Sequence, residues 1–274
     1  MNDSKTSSAQ SHFVFREAES ADELEQLLRL RYRVYRECKL ARFVEPSAYE
    51  IDLDCYDFRS SHFGLFKVSG DGEMPVGYLR VAEDGVDRHS DWVAEVAEHY
   101  PGLAEKVAQT PAKPFPLMNY FPDADLLQET YTYVKEWGER LVEPCRLALD
   151  ASHRSVRLGK HIVESAIVVY FFARQIEHAV MCCDSATKHF YGIYGFRQLP
   201  GTYDGDFAGL GQKSTCVFGS ADSVPGPARE RLLEMTKAYK TTGRICCHPD
   251  NSHLFHDDNF QVKVEDPKSV NISR

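Results

Sequence analysis

No apolar run in the 274-residue chain reaches the roughly 18–20 residues that a membrane-spanning helix needs. The longest candidate, residues 162–173, is broken by Glu164. Residues 1–11 are polar and lack the apolar segment of a secretory signal, which points to a cytoplasmic protein with a disordered N-terminus. Positive charge is in deficit, with 32 Lys and Arg against 41 Asp and Glu for a net charge of −9. That argues against a general nucleic-acid binder, whose affinity comes from neutralising phosphates. It leaves room for a local basic patch facing one acidic ligand or partner. The eight cysteines follow no framework spacing, in a chain long enough to bury roughly 70–75% of its unfolded surface without a staple. They are expected to be reduced thiols, with Cys38, Cys55, Cys145, Cys182 and Cys183 as small buried hydrophobes. Also missing are GxxxxGK[ST], GxGxxG after a strand, HExxH, GxSxG and paired CxxC. These absences remove the simplest readings as kinase, dinucleotide oxidoreductase, zincin or hydrolase.

The chain does carry interleaved strand and helix signals. A strand over 12–16 precedes Ser20-Ala21-Asp22-Glu23, a capping box. The helix behind it places Leu24, Leu27, Leu28, Val34, Tyr35 and Cys38 on one stripe, with Arg31 among them. An arginine on a buried stripe must find a partner or snorkel to the surface. Residues 41–57 read as a loop holding Glu50, Asp52, Asp54 and Asp57. A hairpin follows, 62–68 and 76–82, with Arg80 in its second strand. Residues 84–138 read as a helical insert, with helices over 91–109 and 123–137 and a Pro-rich link at 111–116. Residues 141–150 form an apolar strand containing Glu143 and Arg146, with Pro144 marking an edge or a bulge. One extra residue between those two charges would bring them to one face. After them the pattern predicts a helix over 158–175, a strand over 178–184 and a short helix over 185–194 stopped by Gly195. Strands over 196–203 and 213–219 and a helix over 227–240 follow, then a polar tail. The order β-α-β-β-insert-β-α-β-α-β-β predicts one α/β domain, a central mixed twisted sheet flanked by helices. It would span 12–219, with a C-terminal extension over 220–274.

Two places carry candidate chemistry. The strand–turn–helix Leu147-Ala148-Leu149-Asp150-Ala-Ser-His-Arg154-Ser-Val-Arg157-Leu-Gly159-Lys160 offers a basic helix start, suited either to a phosphate or pyrophosphate cradle or to plain solvation. Downstream, Phe190-Tyr191-Gly-Ile-Tyr194-Gly195-Phe196 is an aromatic helix, a glycine stop and a strand start. Cys246-Cys247-His248 with His253 and His256 holds metal-ligand types, but adjacent cysteines fit a zinc site badly. No metal and no bound cofactor are expected.

The cradle and the aromatic turn together resemble the Gcn5-related N-acetyltransferase (GNAT) fold of acyl-CoA N-acyltransferases. The N-terminal half adds four motifs in order: Arg31-Tyr-Arg-Val-Tyr35, Asp54-Cys-Tyr56-Asp57, Gly77-Tyr-Leu-Arg80 and Glu143-Pro-Cys145-Arg146. Their succession resembles that of the acyl-homoserine lactone (autoinducer) synthases. It is still closer to the long-chain N-acyl amino acid synthases and the exosortase-associated acyltransferases. The similarity covers about residues 12–205. It departs from the lactone synthases in three ways: Ala41-Arg42-Phe43 stands where a tryptophan is usual, Cys145 replaces a serine, and the insert is longer.

The resemblance implies a bacterial N-acyltransferase that moves an acyl group, long-chain by this likeness, from acyl carrier protein or CoA to the amine of an amino acid or similar acceptor. The donor would be a co-substrate and acyl carrier protein the partner. Glu143 would be the general base and Arg146 an acceptor-binding and catalytic group. Tyr191 or Tyr194 would sit near the leaving thiolate. Arg31, Tyr35, Asp54, Asp57 and Arg80 would shape or bind the acceptor site. Leu147, Ala148, Leu149, Arg154, Arg157, Gly159 and Lys160 would hold the phosphopantetheine arm. Purely bracing ion pairs for Arg31, Asp54 and Asp57, and a buried Glu143–Arg146 salt bridge, are the alternatives from the residues alone. A lactone synthase, a CoA-dependent acetyltransferase and a non-catalytic acyl-binding protein are the functional alternatives.

Overall fold

The computed structural model describes residues 11–84, 91–206, 209 and 211–247. Its strands are β1 (His12–Glu17), β2 (Ser60–Ser69), β3 (Gly72–Glu83), β4 (Leu141–Leu149), β5 (His178–Asp184), β6 (Arg197–Gln198), β7 (Ser214–Ser220) and β8 (Ile245–Cys247). The helices are α1 (Ala21–Arg36), α2 (Trp92–Glu98), α3 (Leu103–Val107), α4 (Ala124–Glu136), α5 (Val156–Ile167), α6 (Lys188–Gly192) and α7 (Gly226–Thr242). The strands form one sheet in the order β6-β7-β5-β4-β3-β2-β1-β8. Every pair is antiparallel except β4 with β5. This is the mixed α/β sheet flanked by helices that the sequence predicts.

Two apolar layers cover it. On one face α5, α6 and α7 close over Phe15, Phe63, Leu65, Leu79, Val81 and Val142. On the other, α1, α2 and α3 close over Phe66, Tyr78 and Ala148. Alternation along β3 therefore sends Leu79 and Val81 to the first layer and Tyr78 and Arg80 towards the second.

The sheet has two irregularities that open a site. β4 and β5 pair only at Leu141↔His178 and Val142↔Ala179, and then diverge. Pro144 lies just past that point, so its missing N–H breaks no bond to β5. Against β3, Tyr78 faces Ala148 while Arg80 faces Cys145, so β4 holds one extra residue. Arg146 sits there with φ 57°, in the left-handed region, as one form of bulge requires. The bulge thus falls two residues beyond Pro144, on Arg146 itself.

Several boundaries differ from the sequence reading. Pro101-Gly102, with Gly102 at φ 84°, splits the helix expected over 91–109 into α2 and α3. The helix expected over 158–175 is α5 followed by a π-helical stretch, Val168–Ala173, with Arg174 N–H bonding the Val169 carbonyl at 2.8 Å. The strand expected over 196–203 keeps only Arg197–Gln198. The tail expected to be irregular supplies β8, which adds to β1, while the helix expected over 227–240 forms as α7 and joins the main core through Ala228 and Leu232. Gly195 does stop the short helix. It has φ 84°, and a Cβ there would lie 2.2 Å from the Ser223 carbonyl oxygen. Residues 1–10 and 248–274 lie outside the described residues, and with them the N-terminal disorder and the readings of His248, His253 and His256.

Candidate active site

Arg31 projects from the buried stripe of α1 and is 0% exposed. Its charge is met by Asp57 at 2.9 Å and Asp52 at 2.8 Å. It also donates to the Tyr78 hydroxyl at 2.8 Å and to the Asp52 carbonyl. Asp57 is equally buried. Burial acts to raise its pKa, but Arg31 and Arg80 outweigh that and hold it well below the carboxylate range. Asp54 pairs with Arg80 at 2.6 Å and with Arg146 at 3.3 Å. The turn Asp54-Cys-Tyr-Asp57 closes on itself, with the Asp54 N–H donating to Asp57 and the Tyr56 N–H donating to Asp54.

His62 completes this cluster. Its Nε2 lies 3.0 Å from the Asp57 carbonyl and its Nδ1 lies 2.8 Å from the Tyr78 hydroxyl. The carbonyl can only accept, so Nε2 donates and Nδ1 accepts from Tyr78, the neutral tautomer. Burial, which pushes the His62 pKa down to about 4, agrees.

The network ends at β4. Arg146 donates to the Phe43 carbonyl at 3.2 Å and lies over the Tyr35 ring at 5.4 Å. Arg80 donates from Nε to Cys145 Sγ at 3.4 Å, while its Nη2 has no hydrogen-bond partner among the described residues. Glu143, 4% exposed, accepts the backbone N–H of Leu117 at 2.9 Å. Burial raises its pKa to about 7, with the Leu117 N–H, Arg80 and Arg146 pulling against that shift. A carboxyl at that value can take and give a proton near neutral pH.

Two cavities meet where β4 and β5 part. One, of about 220 Å³, is lined by apolar groups including Leu79, Val163, Ala166, Ile167, Phe171 and Met181, together with Tyr191. The other, of about 290 Å³, holds Arg80, Glu143, Asp184 and Ser214 under a roof of Phe43, Leu117, Tyr120 and Phe121. Tyr35, Pro144, Cys145, Arg146 and Cys182 border both. The structure thus brings an apolar chamber and a charged chamber together across the gap in the sheet.

The sequence-selected residues divide accordingly. Glu143, Arg146, Arg80 and Tyr35 face the charged chamber, whereas Arg31 and Asp57 lie beneath it, wholly enclosed. Glu143 and Arg146 do not form the salt bridge with each other that the residues alone allowed; Arg146 turns to Asp54. Of the two tyrosines, Tyr191 lines the apolar chamber, and burial raises its pKa so that it keeps its proton. Tyr194 lines neither chamber; its hydroxyl donates to Glu164 at 2.7 Å in the core, beside Arg231.

Leu147 lines the apolar chamber, while Ala148 and Leu149 pack into the two core layers. At the start of α5, Ser155 caps the Leu158 N–H and Gly159 donates within the helix to the Ser155 carbonyl at 3.0 Å. Arg154 is exposed. Arg157 turns towards the Cys247 thiol of β8, and Lys160 lies 3.9 Å from Glu164. Leu117, Tyr120 and Phe121 escaped the sequence reading of the site; only the position of the insert between Arg80 and Glu143 pointed to them.

Among the described residues no group of His, Cys, Asp and Glu is placed to hold a metal ion, and no helix is long and apolar enough to cross a membrane.

No protein-family model and no curated protein matches the chain. Solved structures do. An N-acyl amino acid synthase from uncultured soil microbes, FeeM, is 14% identical, with 78% of this chain and 93% of that chain covered and a TM-score of 0.49. The CoA-dependent acyl-homoserine lactone synthase BjaI, with SAM and isopentyl-CoA, is 17% identical over 82% and 90% of the two chains, at a TM-score of 0.49. An acyl-CoA N-acyltransferase from Pseudomonas aeruginosa is 14% identical over 77% and 99%, at 0.42. At these identities the likeness is one of fold alone: a mixed sheet flanked by helices.

Proposed function

We propose that the protein is an N-acyltransferase that moves an acyl group from a thioester to the amine of a small acceptor carrying a carboxylate. The observation that carries this reading is the placement of Glu143, a buried carboxyl with a pKa near 7. It faces a charged chamber that meets an apolar one across the sheet. The order of the four sequence motifs supports the same reading.

In this reading the acyl chain lies in the apolar chamber beneath α5 and the acceptor lies in the charged one. Arg80, with its buried Nη2 open for a bond, and Arg146 hold the acceptor carboxylate. Glu143 takes a proton from the ammonium, directly or through water. The freed amine attacks the thioester carbonyl, forming a C–N bond. β4 has no strand partner on its β5 side beyond Val142, and backbone N–H groups near the Arg146 bulge serve the oxyanion. Collapse of the intermediate breaks the C–S bond, and the second proton of the former ammonium passes from nitrogen through the Tyr191 hydroxyl to the leaving thiolate, so that Tyr191 ends neutral. The basic start of α5, with Arg154, Arg157 and Lys160, receives the phosphopantetheine arm and steers an acidic acyl carrier protein.

The test is thiol release by purified protein. Acyl carrier protein or CoA loaded with acetyl or long acyl chains is offered with a panel of amino acids and simple amines. Release that needs an acceptor carboxylate and falls at least 100-fold in Glu143→Gln supports the reading. Release unaffected by Glu143→Gln, or equal with acceptors lacking a carboxylate, overturns it.

A further inference from the structure

Glu143 is held by the insert. Among the described residues it accepts one hydrogen bond, from the Leu117 backbone N–H at 2.9 Å. Leu117 sits in a strap, residues 113–121, whose Pro116, Leu117, Tyr120 and Phe121 roof the charged chamber. The strap is pinned at two points by a single side chain. The buried Tyr56 hydroxyl donates to the Lys113 carbonyl at 3.2 Å and accepts from Asn119 Nδ2 at 2.6 Å. These bonds flank Leu117 on either side in sequence. Tyr56 belongs to the Asp54-Cys-Tyr-Asp57 turn, which Arg31 and Arg80 lock from below. A rigid path therefore runs from α1 through the turn and the strap to the Glu143 carboxylate.

We propose that Tyr56 is a positioning residue: its hydroxyl grips Lys113 and Asn119, fixes the strap, and so places the Leu117 N–H on Glu143. This deepens the proposed function and rests on Glu143 being its base. The chemistry is one of charge. A backbone N–H favours the ionised carboxylate, so a loosened strap withdraws that support and leaves burial to dominate. Other charged or titratable groups face Glu143 as well. Arg80 on β3 and Arg146 on β4 favour its ionised form, and Asp54 opposes it. The thiols of Cys145, Cys182 and Cys216 on β4, β5 and β7 feel its charge. None of these belongs to the strap. Tyr56 itself feels the Glu143 charge and its N–H bonds Asp54, whereas Asn119 meets the Tyr56 hydroxyl from the strap, so Asn119→Ala isolates the route through Leu117.

The experiment titrates Glu143 directly, without needing turnover. Full-length protein is labelled with 13C at the glutamate side-chain carboxyl, and the signal missing from Glu143→Gln identifies the residue. Its midpoint is then followed in the wild type, Tyr56→Phe and Asn119→Ala. Tyr56→Phe should raise the midpoint by on the order of one pH unit, and Asn119→Ala by less. The pH–rate profile of kcat/KM should move with it. Unchanged midpoints in the folded variants overturn the proposal. Asn119 is exposed, so Asn119→Ala decides alone if Tyr56→Phe does not fold. A shifted midpoint in a protein with no acyltransferase activity would keep the positioning role and discard the reaction.

Discussion

Glu143→Gln should abolish activity and yet stabilise the fold. The buried carboxyl is raised from an ordinary value of 4.5 to about 7. For an acid, a raised folded-state pKa costs stability. Below 4.5 both states bind the proton and the cost is nil. Between 4.5 and 7 the unfolded chain sheds it first, so stability falls as pH rises. Above 7 the full cost stands. The size of the shift corresponds to about 1 kcal/mol at pH 5.5 and about 3 kcal/mol at pH 8. Glutamine is neutral at both and still accepts from the Leu117 N–H. The variant should therefore gain several degrees in Tm at pH 8 and markedly less at pH 5.5. Paired thermal melts of the two proteins at the two pH values measure this. An equal gain at both, or a loss at pH 8, refutes the claim that an ionised Glu143 is held against its burial.

Other perturbations separate the parts of the site. Arg31→Met leaves Asp52 and Asp57 buried beside too little positive charge, and should cost about 3–5 kcal/mol in urea unfolding at pH 7. Ala166→Phe fills part of the apolar chamber; product mass spectrometry should show long acyl chains lost while short ones persist. Tyr191→Phe should lower kcat by roughly 100-fold, whereas Tyr194→Phe, altered in the core, should leave kcat near the wild type and cost about 1 kcal/mol of stability. Gly195→Ala forces a Cβ onto the Ser223 carbonyl at positive φ, and should lower Tm sharply.

Much of this arrangement could be read from residue order. The stripe on α1 exposed Arg31 as a charge needing partners, and the acidic turn supplied them. An apolar strand containing Glu143 and Arg146 pointed to a candidate site, because buried charges need partners. The finer geometry depends on neighbours distant in sequence. The bulge sits on Arg146 rather than at Pro144, since the register with β3 decides where the extra residue goes. Tyr191 on α6 and Tyr194 in the turn after it are three apart in sequence, and only packing against Glu164 tells them apart. The capping box is half made: Ser20 accepts the Glu23 N–H, but the Glu23 carboxylate bonds Glu19 N–H and Arg16. The strap could not be foreseen, because a backbone N–H has no sequence signature. Nor could β8, three residues whose strand character comes from the open edge of β1.

The most direct test of the central claim is a comparison of lipid extracts from a bacterium carrying wild type, Glu143→Gln or empty vector, analysed by mass spectrometry. The host supplies acyl carrier protein and every amino acid. The account predicts a new N-acyl amine bearing a carboxylate, present with wild type and absent from the other two. The same product from soluble Glu143→Gln would contradict it.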